Sequence, residues 1–253
     1  MSDGFFLAVL PAGVSVGAAV ALTGGEARHA AVVRRIRVGE VVTVADGSGQ
    51  GVRGPALAVA PDRVVIEVAE LLTAEPPAPF VTVVQALPKK DRGPLAVDLM
   101  TELGVDAVVP WQAARSTVRW EGERGEKARA GWQAAAREAA KQSRRLTVPV
   151  VDEVATTRQV AELLKTAGQR AVFHEAAKTP LGSLAVDPAK PLVCVIGPEG
   201  GLTPAELDAF LAVGAQAYCL GPTVLRTSTA GAAALAQLRL LAAQTAARLK
   251  EAS

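Results

Sequence analysis

The first part of the chain alternates short apolar runs with turn sequences, a pattern typical of β structure. Turns are indicated at residues 46–49 and 61–63. Residues 1–73 are therefore predicted to form a small β-barrel domain that includes one short helix. The predicted strands are 41–45, 51–60 and 63–72. The predicted helix is 26–37, with Ala27, Ala30, Ala31 and Val33 facing inward.

After a proline-rich segment, the pattern changes to alternating strands and helices. Residues 74–79 contain three prolines, which stiffen the chain and remove backbone donors, so this segment is predicted to be a linker. Residues 80–253 then predict an α/β domain with a mostly parallel sheet and helices on both faces. The predicted strands are 81–86, 107–110, 171–174, 192–196 and 217–220, and the predicted helices are 91–103, 126–145, 204–213 and 228–250.

The composition favours a globular protein of the cytoplasm. The chain has 253 residues, of which 50% are hydrophobic, which is enough for one large core or two smaller ones. No apolar run reaches the roughly 18 residues of a membrane span. Residues 1–4 also lack the basic residues of a secretory signal. We therefore expect a cytoplasmic protein without a membrane segment.

The cysteine and histidine residues indicate no metal site. Cys194 and Cys219 lie in apolar, strand-like runs and are expected to be small buried residues, with a disulfide or redox pair as the alternative. His29 and His174 lie far apart in the sequence, with no ligand spacing around them. No bound metal is therefore expected.

Positive charge is concentrated in one segment of the chain. The net charge is only +2, but residues 115–145 hold 9 Lys and Arg against 4 Asp and Glu. Four of these basic residues have the i, i+4, i+7, i+8 spacing of one helical face, and two more precede the predicted helix. They form either a solvated helix surface or a surface that contacts the phosphates of a nucleic acid. The four are Arg137, Lys141, Arg144 and Arg145, and the two are Arg115 and Arg119.

Two loop sequences about twenty residues apart are the most informative part of the chain. The glycine loop, residues 197–201, reads Gly-Pro-Glu-Gly-Gly and follows the predicted strand 192–196. The arginine loop, residues 220–229, reads Leu-Gly-Pro-Thr-Val-Leu-Arg-Thr-Ser-Thr and begins as the next predicted strand ends. Each loop precedes a predicted helix. An open α/β sheet binds its ligand at such strand ends, so we predict a ligand site there.

The side chains of these loops limit the kind of ligand. The glycine spacing differs from the dinucleotide-binding G-x-G-x-x-G motif, and the lysine of a phosphate-binding loop is absent. A strongly anionic ligand is therefore disfavoured. Glu199 can accept a hydrogen bond from a ligand, or it can cap a neighbouring backbone group. Arg226 is either a surface residue or a fixed cation of the pocket.

These loops resemble the signatures of the ribosomal RNA small subunit methyltransferase E family, a branch of the SPOUT methyltransferases. The resemblance begins with residues 196–203 and 220–227. It extends over nearly the whole chain. The other matching segments, in chain order, are residues 28–29, 46–49, 85–92, 101–105 and 138–143.

The resemblance implies a fold, a cofactor and a reaction. It implies a PUA-like, RNA-binding N-terminal domain and a C-terminal trefoil-knot domain that binds S-adenosylmethionine. It also implies a homodimer with its site near the subunit interface. The implied reaction is methylation of a uridine at N3 in 16S rRNA, at position 1498 in the usual numbering, with the assembled small (30S) subunit as partner.

The resemblance also implies roles for particular residues. Arg226 would stabilise the uracil anion, and Glu199 or a water molecule would accept the N3 proton. The implied cofactor contacts are Phe173, His174, Glu175, Ile196, Gly197, Pro198, Gly200, Gly201, Leu220, Gly221, Pro222 and Leu225. The implied RNA contacts are Arg28, His29, Arg34, Lys89, Arg92, Arg115, Arg137, Lys141, Arg144 and Arg145.

The arginine loop departs from the family pattern at two positions. Many relatives read Arg-Ile-Leu-Arg-Thr-Glu-Thr there, whereas this chain has Thr223 for the first arginine and Ser228 for the glutamate. We therefore do not assign Ser228 as a base. The alternative functions are ribose 2′-O-methylation by another SPOUT enzyme and a non-catalytic role in ribosome assembly.

Overall fold

The structure, a computed structural model, describes residues 4–89 and 92–251, and these form two compact units. One unit comprises Met1–Glu75 with Ala140–Val148, and the other comprises Pro76–Ala139 with Pro149–Ser253. The division after Glu75 lies within the predicted linker. Residues 140–148 lie with the first unit, although the sequence had placed them in the second domain.

In the described part of the first unit, six strands form one sheet with the order β1-β3-β4-β5-β2, and β6 pairs with β4. β1 runs parallel to β3, and the other pairs are antiparallel. The predicted strand 63–72 is in fact two strands, because β5 pairs with the end of β4 and β6 with its beginning. The strands are β1 (Gly4–Leu7), β2 (Ala19–Thr23), β3 (Val41–Ala45), β4 (Gln50–Ala60), β5 (Arg63–Glu67) and β6 (Glu70–Thr73).

The predicted helix 26–37 is wrong in length and in periodicity. The chain forms α1 (Gly24–Arg28), which is followed directly by a π-helical turn at His29–Val33. The wider π turn rotates the following side chains away from the α-helical pattern. Ala27 and Ala30 are buried as expected, but Val33 is 64% exposed instead of facing inward.

Residues 146–148 belong to the first unit because they hydrogen-bond to the turn between β3 and β4. The amide of Gly49 donates to the carbonyl of Leu146 at 3.1 Å, and the amide of Val148 donates to the carbonyl of Gly47 at 2.8 Å. The Leu146 side chain also lies 2.9 Å from where a Cβ at Gly51 would stand, so only glycine fits there without displacing it. The residues that make these contacts are far apart in the sequence, so local patterns do not reveal the contacts.

Asp46 organises the same turn. Its Oδ1 accepts from the amides of Ser48 (2.7 Å) and Gln50 (3.0 Å), and its Oδ2 accepts from the Ser48 hydroxyl. Partial burial raises the pKa of Asp46, but these hydrogen bonds outweigh it and hold the pKa below its ordinary value. The stabilisation from Asp46 is therefore present at neutral pH and is lost as the pH falls through the lowered pKa.

We expect Asp46→Ala to lower the free energy of unfolding by about 1 kcal/mol at pH 7, because two backbone amides lose their acceptor. The difference from wild type should begin to shrink below about pH 4, the ordinary range of an aspartate carboxyl, and should be lost as the pH falls further through the lowered pKa of the native carboxylate. Urea denaturation at several pH values measures both effects. Asp62→Ala, in the exposed turn after β4, is the matched control. Equal losses in the two variants, or a difference independent of pH, would contradict this assignment.

In the described part of the second unit, six strands form a fully parallel sheet with the order β12-β10-β11-β7-β8-β9. The prediction of an α/β fold with a mostly parallel sheet is therefore confirmed. β9, which has only two residues, was not predicted. The strands are β7 (Val81–Ala86), β8 (Ala107–Trp111), β9 (Val150–Val151), β10 (Gln169–Phe173), β11 (Leu192–Ile196) and β12 (Gln216–Tyr218).

Helices cover both faces of this sheet, as predicted. Val160 of α4 and Phe210 of α5 join the core on one face, where the Phe210 ring meets Trp111 edge to face at 5.4 Å. On the other face, Gly231 of α6 lies against Met100 of α2 and the buried side chain of Gln85. The helices are α2 (Arg92–Glu102), α3 (Gly122–Gln142), α4 (Thr157–Thr166), α5 (Pro204–Ala212) and α6 (Thr227–Glu251). Asp91, the first residue of the predicted helix 91–103, lies outside the described residues.

The predicted helix 126–145 ends early, which breaks the predicted basic stripe. α3 ends at Gln142, and Arg144 has a left-handed backbone with φ = 54°. The amide of Arg144 donates to the carbonyl of Lys141, and that of Arg145 donates to the carbonyl of Ala140. This is the Schellman arrangement that closes a helix, with arginine where glycine is usual. Arg144 and Arg145 therefore do not continue a helical face.

Among the residues that the structure describes, no helix is both long and apolar enough to cross a membrane. The same residues contain no group of three His, Cys, Asp or Glu placed to hold a metal ion.

Candidate functional site

The carboxyl ends of three parallel strands lie side by side and bring three loops together. In the sheet register, Phe173 at the end of β10 pairs with Ile196 of β11 and with Tyr218 of β12. The segments that follow these strands are residue 174 onward, the glycine loop and the arginine loop. Parallel pairing therefore places both predicted loops at one edge of the sheet, next to a third segment.

These three segments enclose a cavity of about 340 Å³. Every predicted cofactor contact except Gly200 lines it, together with Glu199, Arg226 and Arg92. Arg92 had been predicted to contact RNA. Six further residues also line the cavity, and these are Leu202, Cys219, Thr223, Val224, Thr227 and Ala230.

A buried carboxylate holds the exit of the glycine loop. Glu206 of α5 is 4% exposed, and its Oε2 accepts from the Thr203 amide and hydroxyl, both at 2.8 Å. Its Oε1 accepts from the amide of Ala114 at 2.7 Å. The Thr203-Pro204 start of α5 was recognisable as a helix-capping sequence, but the bond to Ala114 was not. Glu206 thus ties the loop to the segment after β8 as well as to its own helix.

The backbone of the glycine loop is shaped by its last two residues. Gly201 has φ = 70°, a conformation that a residue with a side chain rarely adopts. Gly200 lies against Arg115, whose Nη1 donates to the carbonyls of Gly200 (2.8 Å) and Leu202 (3.3 Å). Arg115 was predicted to contact RNA. In the structure, the hydrogen bonds of its guanidinium stabilise the end of the glycine loop.

The glycine loop and the arginine loop are joined directly by a hydroxyl group. The side chain of Thr227, 5% exposed at the start of α6, donates a hydrogen bond to the carbonyl of Gly197. A hydroxyl at such a position commonly caps the helix that it begins. The contact instead fixes the beginning of one loop against the end of the other. Ser228 is buried beside Thr227 and is not among the residues that line the cavity.

The two candidate catalytic residues lie at the same cavity. Oε1 of Glu199 accepts from the amide of Lys89 at 3.0 Å, so the capping alternative holds for one carboxylate oxygen. Its other oxygen makes no hydrogen bond with the described residues. The exposed guanidinium of Arg226 also has no ion pair or hydrogen bond within the described part of the chain. Both charged groups are therefore able to meet a ligand.

The lining combines apolar surface with balanced charge. Ile196, Leu202 and Leu225 supply aliphatic surface, and the glycines expose backbone polar groups. Among the described residues that line the cavity, the charged ones are Arg92, Arg226, Glu175 and Glu199, and none is a lysine. Such a site suits a mainly apolar ligand that carries both positive and negative groups.

The predicted RNA contacts in the first unit have different surroundings. Arg28, Arg34 and Arg144 are exposed, whereas the His29 ring packs against Phe6 of the core at 6.0 Å. Lys141 is the clearest correction. Its ammonium group donates to Glu26 at 3.0 Å, and its side chain is only 9% exposed. The structure therefore assigns Lys141 a buried ion pair in place of a phosphate contact.

The two cysteines are free and differ in environment. Cys194, in the centre of β11, is fully buried, and this burial raises the pKa of its thiol to about 12. Cys219 is partly exposed and lines the cavity, so the prediction of two buried cysteines holds only for Cys194.

We expect N-ethylmaleimide to modify Cys219 in the native protein and to modify Cys194 more than about 100-fold more slowly, because the reactive thiolate of Cys194 is both rare and inaccessible. Mass spectrometry of tryptic peptides after labelling at pH 7.5 measures the two rates. Cys219→Ser is the control, since it should abolish fast labelling. Comparable rates at the two cysteines would show that the described burial of β11 is incorrect.

Comparisons with known proteins agree on one family. The model for the RNA methyltransferase domain matches residues 75–239. The ribosomal RNA small subunit methyltransferase E of Mycobacterium bovis is 42% identical over 241 residues, covering 94% of this chain and 91% of that protein. The protein of the same name from Bacillus subtilis is 31% identical, covering 86% and 88%.

Solved structures agree with the sequence comparisons. The crystal structure of a ribosomal RNA small subunit methyltransferase E from Neisseria gonorrhoeae, bound to S-adenosyl methionine, superposes with a TM-score of 0.82. It is 30% identical, and the match covers 95% of this chain and 98% of that one.

Proposed function

Because the chain belongs to the ribosomal RNA small subunit methyltransferase E family, we propose that it transfers a methyl group from S-adenosylmethionine to N3 of a uridine in 16S rRNA. The observation that carries the proposal is the cavity formed where the glycine loop and the arginine loop meet. It brings Arg226 and Glu199 to the same space as nearly all the residues expected to bind the cofactor.

The cavity lining fits S-adenosylmethionine. This cofactor has an adenine ring, a positively charged sulfonium and an amino acid group, and it carries no phosphate. The backbone groups of residues 197–201 and 220–222 can bind the polar edges of such a molecule, and the aliphatic side chains can enclose its ring. Glu175 and Glu199 offer negative charge for its cationic groups. The Neisseria relative, which is known with S-adenosyl methionine bound, supports the same choice.

The proposed mechanism depends on making uracil N3 nucleophilic. N3 carries a proton at neutral pH, and its removal leaves negative charge shared with the two neighbouring carbonyl oxygens. The Arg226 guanidinium, which has no ion pair within the described chain, would stabilise that charge. When bound, the cofactor supplies an activated methyl group on its sulfonium. The loops supply placement, which accounts for much of the acceleration in such reactions.

Glu199 is the better proton acceptor among the residues at this site. Its Oε1 is held by the Lys89 amide, which orients the carboxylate, while the other oxygen stays open to the cavity. Ser228 is buried outside the lining, so it does not replace the glutamate that relatives carry at that position. A water molecule bound near Glu199 is the alternative proton acceptor.

The wider properties of the family complete the proposal. We propose that the second unit contains a trefoil knot and that the first unit, residues 1–73 of the chain with its sheet, is a PUA-like RNA-binding domain. We also propose that the protein is a cytoplasmic homodimer acting on the assembled small subunit. Family membership supports these points, as do the exposed Arg28 and Arg34 of the first unit.

We expect Arg226→Ala to bind S-adenosylmethionine with nearly wild-type affinity and to lose at least about 100-fold in methyl transfer, because the anion loses its fixed cation. Arg226→Lys should recover part of this rate, since it restores the charge but not the planar donor group. Calorimetric titration measures cofactor affinity, and transfer of labelled methyl to small subunits measures the rate.

Two outcomes would contradict this assignment. Methyl transfer by Arg226→Ala at the wild-type rate would remove the proposed role of the arginine. Absence of saturable binding of S-adenosylmethionine to the wild-type protein would overturn the enzymatic proposal itself and favour a non-catalytic RNA-binding protein.

A further inference from the structure

Four side chains form a row across the outer face of the sheet in the first unit. Phe5 of β1 pairs in register with Thr43 of β3, Thr43 pairs with Arg53 of β4, and Arg53 pairs with Glu70 of β6. The neighbouring residues Phe6, Val44 and Val52 point to the opposite face, where they form the core. The Phe5 ring therefore lies on the opposite side of the sheet from this core cluster.

A cavity of about 270 Å³ lies over three residues of this row, Phe5, Thr43 and Arg53. Its lining consists of one aromatic ring, two aliphatic side chains, one hydroxyl and two guanidinium groups. These belong to Phe5, Leu72, Leu146, Thr43, Arg53 and Arg144. Glu70 lies 3.5 Å from Arg53 and partly balances its charge. The positive charge of Arg144 has no such counterion, because its side chain makes no ion pair or hydrogen bond with the described residues.

The backbone at Arg144 has a conformation that is uncommon for arginine, and here the side chain that it carries lines a cavity. Arg144 occupies the left-handed position that closes α3, where φ is 54° and glycine is favoured. Folding alone would therefore favour glycine at this position. Side chains that persist in an unfavourable backbone conformation are concentrated at binding sites. The Arg144 side chain lines the cavity, so a ligand is a physical reason for it.

The chemistry of the lining narrows the ligand to one class. None of the described residues that line the cavity has a carboxylate, which disfavours a metal ion, and the two guanidinium groups disfavour a purely apolar molecule. An aromatic ring beside aliphatic side chains binds a flat base, and an unpaired arginine binds a phosphate. Proteins commonly read single-stranded RNA in this way, with a base on an aromatic ring of a sheet face.

We propose that this cavity binds one unpaired nucleotide of the RNA substrate, with its base against Phe5 and its phosphate on Arg144. The inference rests on the proposed function, because it assumes that RNA is the substrate. It adds a second contact to single-stranded RNA in a unit of the chain other than the one that contains the methyl-transfer cavity. A base that is paired in a duplex cannot enter the cavity, so the site favours an unpaired nucleotide over double-stranded RNA.

The chain offers a matched control for Arg144. Arg35 follows the π-helical turn, has the same φ of 54°, is exposed and does not line the cavity. Arg144→Gly and Arg35→Gly each remove one positive charge and one unfavourable backbone conformation from the same unit. Both variants should therefore keep or raise the wild-type melting temperature. Only Arg144→Gly should lose the nucleotide contact.

The test uses the full-length protein and a labelled single-stranded RNA hexanucleotide, measured by fluorescence anisotropy at fixed salt. We expect Arg144→Gly to weaken binding about 10-fold, and Phe5→Leu, which keeps apolar volume without an aromatic face, to weaken it by a similar factor. Arg35→Gly should stay within about 2-fold of wild type. A duplex of the same sequence should bind equally to the wild type and to both glycine variants.

Equal weakening by Arg144→Gly and Arg35→Gly would overturn the inference, because it would show a diffuse charge effect in place of a site. Wild-type binding by Phe5→Leu would also overturn it. Methyl transfer by the wild-type protein, measured on the same preparations, keeps the two proposals separate. If the wild-type protein transferred no methyl group but still bound RNA in a way that depends on Arg144, only the proposed function would be overturned.

Discussion

Parallel pairing of β10, β11 and β12 is the constraint on which the site depends. Because all three strands run the same way in one register, their carboxyl ends meet at one edge of the sheet. Two loops about twenty residues apart in sequence are thereby brought to a common cavity. The alternating strands and helices make this sheet possible, since each helix returns the chain to start the next strand in the same direction.

Hydrogen bonds then hold the loops in one arrangement. The Thr227 hydroxyl bonds to the Gly197 carbonyl, Glu206 holds the start of α5, and Arg115 supports the carbonyls of Gly200 and Leu202. A site prepared in this way does not need to reorganise its backbone groups when a ligand binds, which is the property that an electrostatic catalyst requires. The charged groups of Arg226 and Glu199 are left open to the cavity, whereas the groups that shape it are used internally.

The sequence predicted well those features that depend on local signals. The glycine loop, the Thr203-Pro204 cap and the strand at residues 192–196 are encoded by neighbouring residues, and the structure contains all three. Helix α4 was missed, although Thr156 and Gln159 form a capping box that was visible in the sequence. α4 has only ten residues, so its apolar pattern is short.

Features that depend on distant contacts could not be predicted from local patterns. Lys141 had the spacing of a surface stripe, but it is paired with Glu26, more than one hundred residues away. α3 was expected to continue to residue 145, because an arginine in a left-handed helix-closing position gives no sequence signal. The π-helical turn at His29–Val33 likewise follows no α-helical period. For Lys141, a tertiary contact overrode the local pattern.

The identity of the methylated atom tests the account most directly. Small ribosomal subunits that lack the modification should be incubated with the protein and with S-adenosylmethionine carrying a deuterated methyl group, and the 16S rRNA then digested to nucleosides for mass spectrometry. We predict deuterated 3-methyluridine as the product, because the proposed roles of Arg226 and Glu199, which both line the cavity, are to stabilise and to generate the N3 anion. A deuterated 2′-O-methyl nucleoside, or no incorporation at all, would contradict it.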